Sequence, residues 1–298
     1  MRAKNRSLRR NLSTYFALVP MFVTVLCVYL GSVLWSFRVS LSSSRTFPAS
    51  DFVGASQYVK LFANDRWIVS LQNAAIFGVL FISICLILGF LFAVFLDQRI
   101  RCEGIFRTIF LYPYAMSFVA TGLVWQWVLN PALGIQETVR HLGFPGFSFD
   151  WIVSQDMAIY TIVLASVWQA SGLAMALILA GLRGIDEEIW KATRIDGIPR
   201  WRVYVSIVIP MIGPSIATVC VLLSVSVVKV YDAVVSMTQG GPGTATEVPA
   251  KFIMDYLFGR ANIGLASAGS TVLLVLVLSF LLPWVYLRQK ATRKESKS

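Results

Sequence analysis

Few residues in this chain can do covalent or redox chemistry. Its 298 residues include one histidine, His141, and four cysteines, Cys27, Cys85, Cys102 and Cys220. A Ser-His-Asp triad, a His-rich metal site and a histidine proton relay all lack their parts. No cysteine pair has CxxC spacing, so neither a zinc site nor a disulfide frame is expected. The run Gly240-Gly241-Pro242-Gly243 looks phosphate-like, but the lysine of a P-loop does not follow it, and GxxxxGK[ST] and GxSxG are both absent. The sequence therefore predicts no catalytic residue, no metal and no cofactor bound by this chain. If the chain moves a solute uphill, the energy comes from a partner or an ion gradient.

What remains is binding chemistry in apolar surroundings. Trp168-Gln169-Ala170-Ser171-Gly172-Leu173, the group Ser224, Ser226, Lys229 and Asp232, and Tyr114 with Ser117 and Phe118 set polar or aromatic side chains among long apolar runs. Polar groups inside a membrane face a cavity in preference to lipid. For Ala170, Ser171 and Gly172 close helix packing is the competing explanation. For Lys229, which can pair with Asp232 at i, i+3, it is snorkelling to the interface.

The elements that position these groups are legible in the charge pattern. Hydrophobic residues make up 57% of the chain and charged residues 14%, against about 25% charged in a soluble domain. No Asp, Glu, Lys or Arg occurs in 11–37, 67–96, 108–136, 157–182, 203–228 or 261–287. Each window exceeds the roughly 20 residues that cross a bilayer as a helix. This predicts an all-α, polytopic membrane protein with six transmembrane helices, the first retained and not cleaved as a leader.

The net charge of +11 orients them. If both termini are cytoplasmic, 18 Lys and Arg lie inside and 8 outside, while acidic residues divide 7 to 8. The whole surplus then lies inside, as an orientation signal, and no basic stripe suggests nucleic acid. Trp35, Trp67, Trp127 and Trp151 fall near the outer ends of spans, where an aromatic belt is expected. Trp168 falls mid-span.

The loop 183–202 reads RGIDEEIWKATRIDGIPRWR. Asp186 is placed to N-cap a short helix with Glu187 and Glu188 in its first turn, Gly197 to end it, and Pro199 to start the next. Ile185, Ile189, Ala192 and Ile195 recur at spacings of four, three and three, which predicts one apolar face with Glu188, Lys191 and Arg194 off it. Such a helix either rests on lipid headgroups or docks a cytoplasmic partner.

This segment resembles the EAA loop of binding-protein-dependent ABC transporter permeases, a pattern of roughly E-A-A-x-x-D-G followed about a dozen residues later by proline. Ala192, Asp196, Gly197 and Pro210 match. Lys191 stands where the family has glutamate, and Thr193 replaces the second alanine. FVGASQYVKLF (52–62), MTQGGPGTATEVPAKFIMDYLF (237–258) and ANIGLASAGS (261–270) resemble segments of the carbohydrate branch, and the nearest likeness is to glucose/mannose and α-glucoside permeases.

The resemblance implies a MetI-like permease core over 67–287, with the coupling loop at 183–210. Before the core comes an N-terminal segment, first helix and external loop at 1–66, and after it a basic tail at 288–298. It implies import of a hexose or small glucoside, with glycerol phosphate or another oligosaccharide as alternatives. The implied partners are a second permease subunit, two ATP-binding subunits that use ATP and magnesium, an external solute-binding protein, and lipid. Glu188, Lys191, Ala192, Asp196, Gly197 and Pro210 would couple to the ATPase. Trp168, Gln169, Leu173, Ser226, Val227, Lys229, Val230, Tyr114 and Phe118 would line the sugar path. Tyr114 counts as too near the cytoplasmic end for a mid-membrane site unless the helix is broken or tilted near Pro113. A secondary transporter would need an intramembrane ionisable relay or an inverted repeat, and the windows supply neither.

Overall fold

The computed structural model describes residues 18–49, 51–98 and 100–295, with side chains to 279; the basic segment 1–10, the start of the first window, Arg99 and residues 296–298 lie outside it. The described chain is helical, and its one β feature is an isolated bridge between Ser42 and Phe52. In order come α1 (Leu18–Ser40), α2 (Ser56–Phe62), α3 (Asp65–Asp97), α4 (Glu103–Ala115), α5 (Phe118–Val128), α6 (Ile135–His141), α7 (Ala158–Arg183), α8 (Glu187–Ile195), α9 (Arg200–Met211), α10 (Gly213–Val228), α11 (Tyr231–Met237), α12 (Pro249–Met254) and α13 (Ile263–Glu295).

Three of these helices, α1, α3 and α7, are long and apolar enough to cross a membrane unaided. Their ends track the charges. The window 67–96 becomes a helix with Asp65 in its first turn, where a carboxylate meets the positive helix dipole. The window 157–182 becomes α7, ending at Arg183, a cation at the negative end.

Two expected spans are not single helices. In the window 108–136, α4 and α5 meet at 100°. Pro113 lacks the N–H of the last turn, Met116 and Ser117 are extended with ψ of 148° and 149°, and the Ser117 hydroxyl caps a new helix by accepting from the Ala120 N–H at 3.1 Å. In the window 203–228, α9 and α10 meet at 71° across Ile212, between Pro210 and Pro214. Counting each bent pair as one span gives five candidates among the described residues. The sixth window falls in α13, which runs unbroken from Ile263 to Glu295.

The described residues form two compact units, 65–252 and the pair of segments that precede and follow it. In the larger unit α7 is the central helix, packed against α3, α4 and α10. Phe77 and Phe81 of α3 stack with centroids 5.2 Å apart in a core that includes Ile162, Ala174, Met175 and Ile178 of α7. Trp67 is fully buried against Phe252, with ring centroids at 5.2 Å, so it belongs to the core and not to the expected aromatic belt. Trp127, by contrast, is 77% exposed. In the smaller unit α13 packs on α1 and α2, and Gln57 of α2 donates to the Ser42 carbonyl at 2.9 Å.

Candidate functional site

The helix at 187–195 forms as its sequence directs. Asp186 accepts from the Glu188 N–H at 3.0 Å, and Gly197, at φ +64°, takes the left-handed turn that ends the helix. Only part of its apolar face turns inward. Ile185 and Thr193 are buried and Ile189 and Trp190 half-buried, while Ala192 is exposed and Ile195 is 85% exposed. Trp190 decides this, because its ring meets Tyr204 of α9 at 5.9 Å and Tyr204 meets Phe90 of α3 at 6.1 Å, which pulls the Trp190 side of the helix onto the core. Thr193 fits there because its hydroxyl donates to the Trp190 carbonyl at 3.0 Å.

The opposite face therefore presents Glu188, Lys191, Ala192, Ile195 and Asp196 together. Lys191 Nζ stands 4.0 Å from Glu187, with both side chains largely in solvent. Trp201 is 69% exposed at the start of α9, and Pro210 lies further along that helix, two residues before its break. Sequence reasoning did not single out Arg183. At the root of this loop its guanidinium donates to Glu103 of α4 at 2.7 Å and lies 3.9 Å from Asp97 of α3, tying three helix ends together.

The residues expected along a path divide. Trp168 lies on the one exposed stripe of α7, with Tyr160 and Leu164, and its ring meets Trp125 of α5 edge to face at 5.9 Å. Tyr114 and Phe118 are exposed on either side of the α4–α5 break, so Tyr114 sits at a discontinuity instead of in the middle of a straight span. Leu173 is half-buried. Gln169 is 3% exposed, and its amide donates to the Met116 carbonyl at 2.8 Å. In α10, Ser226 bonds back to the Leu222 carbonyl at 3.2 Å and Val227 packs toward Gly78 of α3. Val230 is buried in the core, and Lys229 is exposed at the end of the helix, where a cation suits the dipole. Lys229 and Asp232 do not form an ion pair within 4 Å.

The glycine run after α11 is a pinned loop. Thr246 bonds the Thr238 hydroxyl at 2.6 Å and donates to the Gly241 carbonyl at 2.9 Å, and Asn73 of α3 donates to the Glu247 carbonyl at 2.9 Å. Glu247 is 2% exposed and receives both arms of Arg66, at 2.9 and 2.5 Å. A buried carboxylate is tolerable only with such a partner. Glu247→Ala leaves the Arg66 guanidinium without this carboxylate beside a closed core, so we expect a loss of about 3–5 kcal/mol, read as a lower Tm in detergent, with Glu247→Gln milder. The only sequence signals for this trio were an asparagine inside an apolar window and an acid inside an apolar, glycine-rich stretch.

These features define a class: a helical integral membrane protein whose larger unit is built around one central span, with two bent helix pairs and an exposed surface helix between α7 and α9. Residues 86–291 match the family described as binding-protein-dependent transport system inner membrane component, and the chain belongs to that family. It is 33% identical to a probable ABC transporter permease protein of Pyrococcus horikoshii, over 93% of this chain and 96% of that one. It is 30% identical to the trehalose/maltose transport system permease protein MalF of Thermococcus litoralis, over 94% of both. Its fold matches a bacterial alginate ABC transporter, crystallised in complex with an alginate-pentasaccharide-bound periplasmic protein, with a TM-score of 0.81 at 18% identity, covering 96% of this chain and 97% of that one.

Proposed function

We propose that this chain is the permease subunit of an ATP-binding-cassette importer for a hexose or small glucoside. It spans the bacterial cytoplasmic membrane six times with both termini inside, paired with a second permease. The observation that carries this reading is α8, which is anchored on one side by Trp190 and Thr193 and bare on the other at Ala192 and Ile195. A bare apolar patch framed by Glu188, Lys191 and Asp196 suits the cleft of a separate ATPase, which would use ATP and magnesium. The sugar class is supported by the name of the Thermococcus relative, and the external binding protein by the alginate transporter's complex.

Trp168, Tyr114 and Phe118 supply aromatic faces for the C–H surface of a pyranose, with Leu173, Ser226, Val227 and Lys229 at the flanks of the path, while Val230 backs them from the core. ATP-driven approach of the ATPases would move α8 and, through Arg183, the ends of α3 and α4 as one body. The test is purification of the tagged chain in mild detergent, identification of what travels with it, and ATP hydrolysis measured with maltose, trehalose, glucose and xylose in the presence of the binding protein. We expect a second permease and an ATPase, stimulated by one of these sugars. Recovery of this chain alone under every mild condition would sink the importer reading.

A further inference from the structure

The break between α4 and α5 leaves a problem that the local sequence does not solve. At Met116 the backbone leaves the helix, so its carbonyl has no helical partner, within an uncharged run where an unmade bond is costly. Ser117 solves the donor side by capping the Ala120 N–H. The acceptor side is solved from another helix. Gln169, on the central span and 53 residues further along the chain, turns its amide to Met116 at 2.8 Å. It is 3% exposed, whereas the adjacent Trp168 is 37% exposed and touches Trp125, on the far side of the break.

We infer that Gln169 is a positioning residue: it latches the break through the Met116 carbonyl and so fixes the angle between α4 and α5 and the spacing of the Trp168–Trp125 pair. It is not itself a ligand for the solute. An amide is the side chain suited to this task. It donates without charge, so it can be buried, and its length spans the gap between helices. The importance of this latch for transport rests on the importer reading, but the latch itself does not.

The experiment therefore reads the bond and the angle, and not uptake. Met116-Ser117 is the one Met-Ser step in the chain, so carbonyl-13C methionine with 15N serine gives a single selected signal in the complex in lipid bilayers. In Gln169→Leu we expect that carbonyl signal to move upfield, as on loss of a hydrogen bond. The distance distribution between spin labels at Arg107 and Trp127, with the other reactive cysteines replaced, should broaden.

Gln169→Glu adds a readout that mere packing would not move. The neutral acid can donate to Met116 and the carboxylate cannot. The signal should match wild type at low pH, where the acid is neutral, and move to the leucine position at high pH, where it is ionised. The charged groups on helices packed against α7 are Asp65, Arg66 and Asp97 on α3, Glu103 and Arg107 on α4, Lys229 after α10 and Asp232 on α11. Wild type taken through the same pH range is the control for all of them. An unmoved carbonyl signal in both variants, or a moved signal with unchanged label distances, overturns the latch. If neither variant assembles, through-space transfer from glutamine side-chain nitrogen to the Met116 carbonyl in wild type decides, and no transfer overturns it.

Discussion

Gly172→Ala should prevent the larger unit from packing. A Cβ at Gly172 would fall on the carbonyl oxygen of Phe110 and 2.7 Å from its carbon, with Leu111 Cα at 3.1 Å. These are backbone atoms of α4, so no rotamer change relieves the overlap, and α7 and α4 must move apart. Overpacking of this kind costs roughly 1–3 kcal/mol where side chains can yield, and more where they cannot. The displaced helices would also pull Gln169 from Met116, three residues from the overlap. We expect a sharp loss of assembled protein in the membrane and a fall in Tm for what remains. Gly104→Ala is the matched control. It is also a helical glycine, on α4, but nothing lies within 4 Å of the added carbon. There the gain in helix propensity, about 0.5–1 kcal/mol, should leave stability unchanged or slightly raised. Equal tolerance of both substitutions would mean that α4 and α7 do not approach this closely.

The second large effect is on coupling. Ile195→Asp should abolish uptake while the protein folds, inserts and keeps its Tm. Ile195 is 85% exposed, and surface changes of this kind fall within about 0.5 kcal/mol. In the assembled transporter the same side chain would be buried against the ATPase, and a charge placed at the centre of such a contact costs about 2 kcal/mol or more, roughly 30-fold in affinity. Gly197→Asp should act in the same direction. A side chain there meets open space, and aspartate tolerates the left-handed turn better than most residues, so the fold survives while the docking surface gains a charge. Thr193→Asp is predicted to behave differently, because Thr193 is buried against the core. It should lower Tm as well as uptake. Co-purification of the ATPase, uptake and thermal melting together separate the three. Normal uptake in Ile195→Asp would remove α8 from the coupling path.

Local rules were enough for some of this. The cap at Asp186, the turn at Gly197 and the extents of α3 and α7 follow from single residues and from the absence of charge, and they appear where those rules put them. Hydropathy is blind to direction, so a 29-residue apolar window looks the same whether it runs straight or turns through 100° at Met116. Pro113 lies close to that turn, but the turn itself needs Ser117 as a cap and Gln169 from a distant helix, and neither need is visible in the local sequence. Which part of the apolar face of α8 turns inward is hidden for a similar reason. Periodicity groups Ile195 with Ile189, but the edge-on contact of Trp190 with Tyr204 selects which side faces inward. Gln169 stands out in the sequence as a polar residue in an apolar run. Its partner is a backbone carbonyl, which no side-chain pattern can announce.

The wide separation of Gln169 from Met116 also bears on biogenesis. When the α4–α5 segment leaves the ribosome it is simply a long apolar stretch, and it can enter the bilayer before its partner exists. At roughly 5–20 residues per second, 53 further residues take about 3–10 seconds to synthesise. For that interval the bend lacks its outside support. The final shape of the third span is therefore settled only after the fourth has been made.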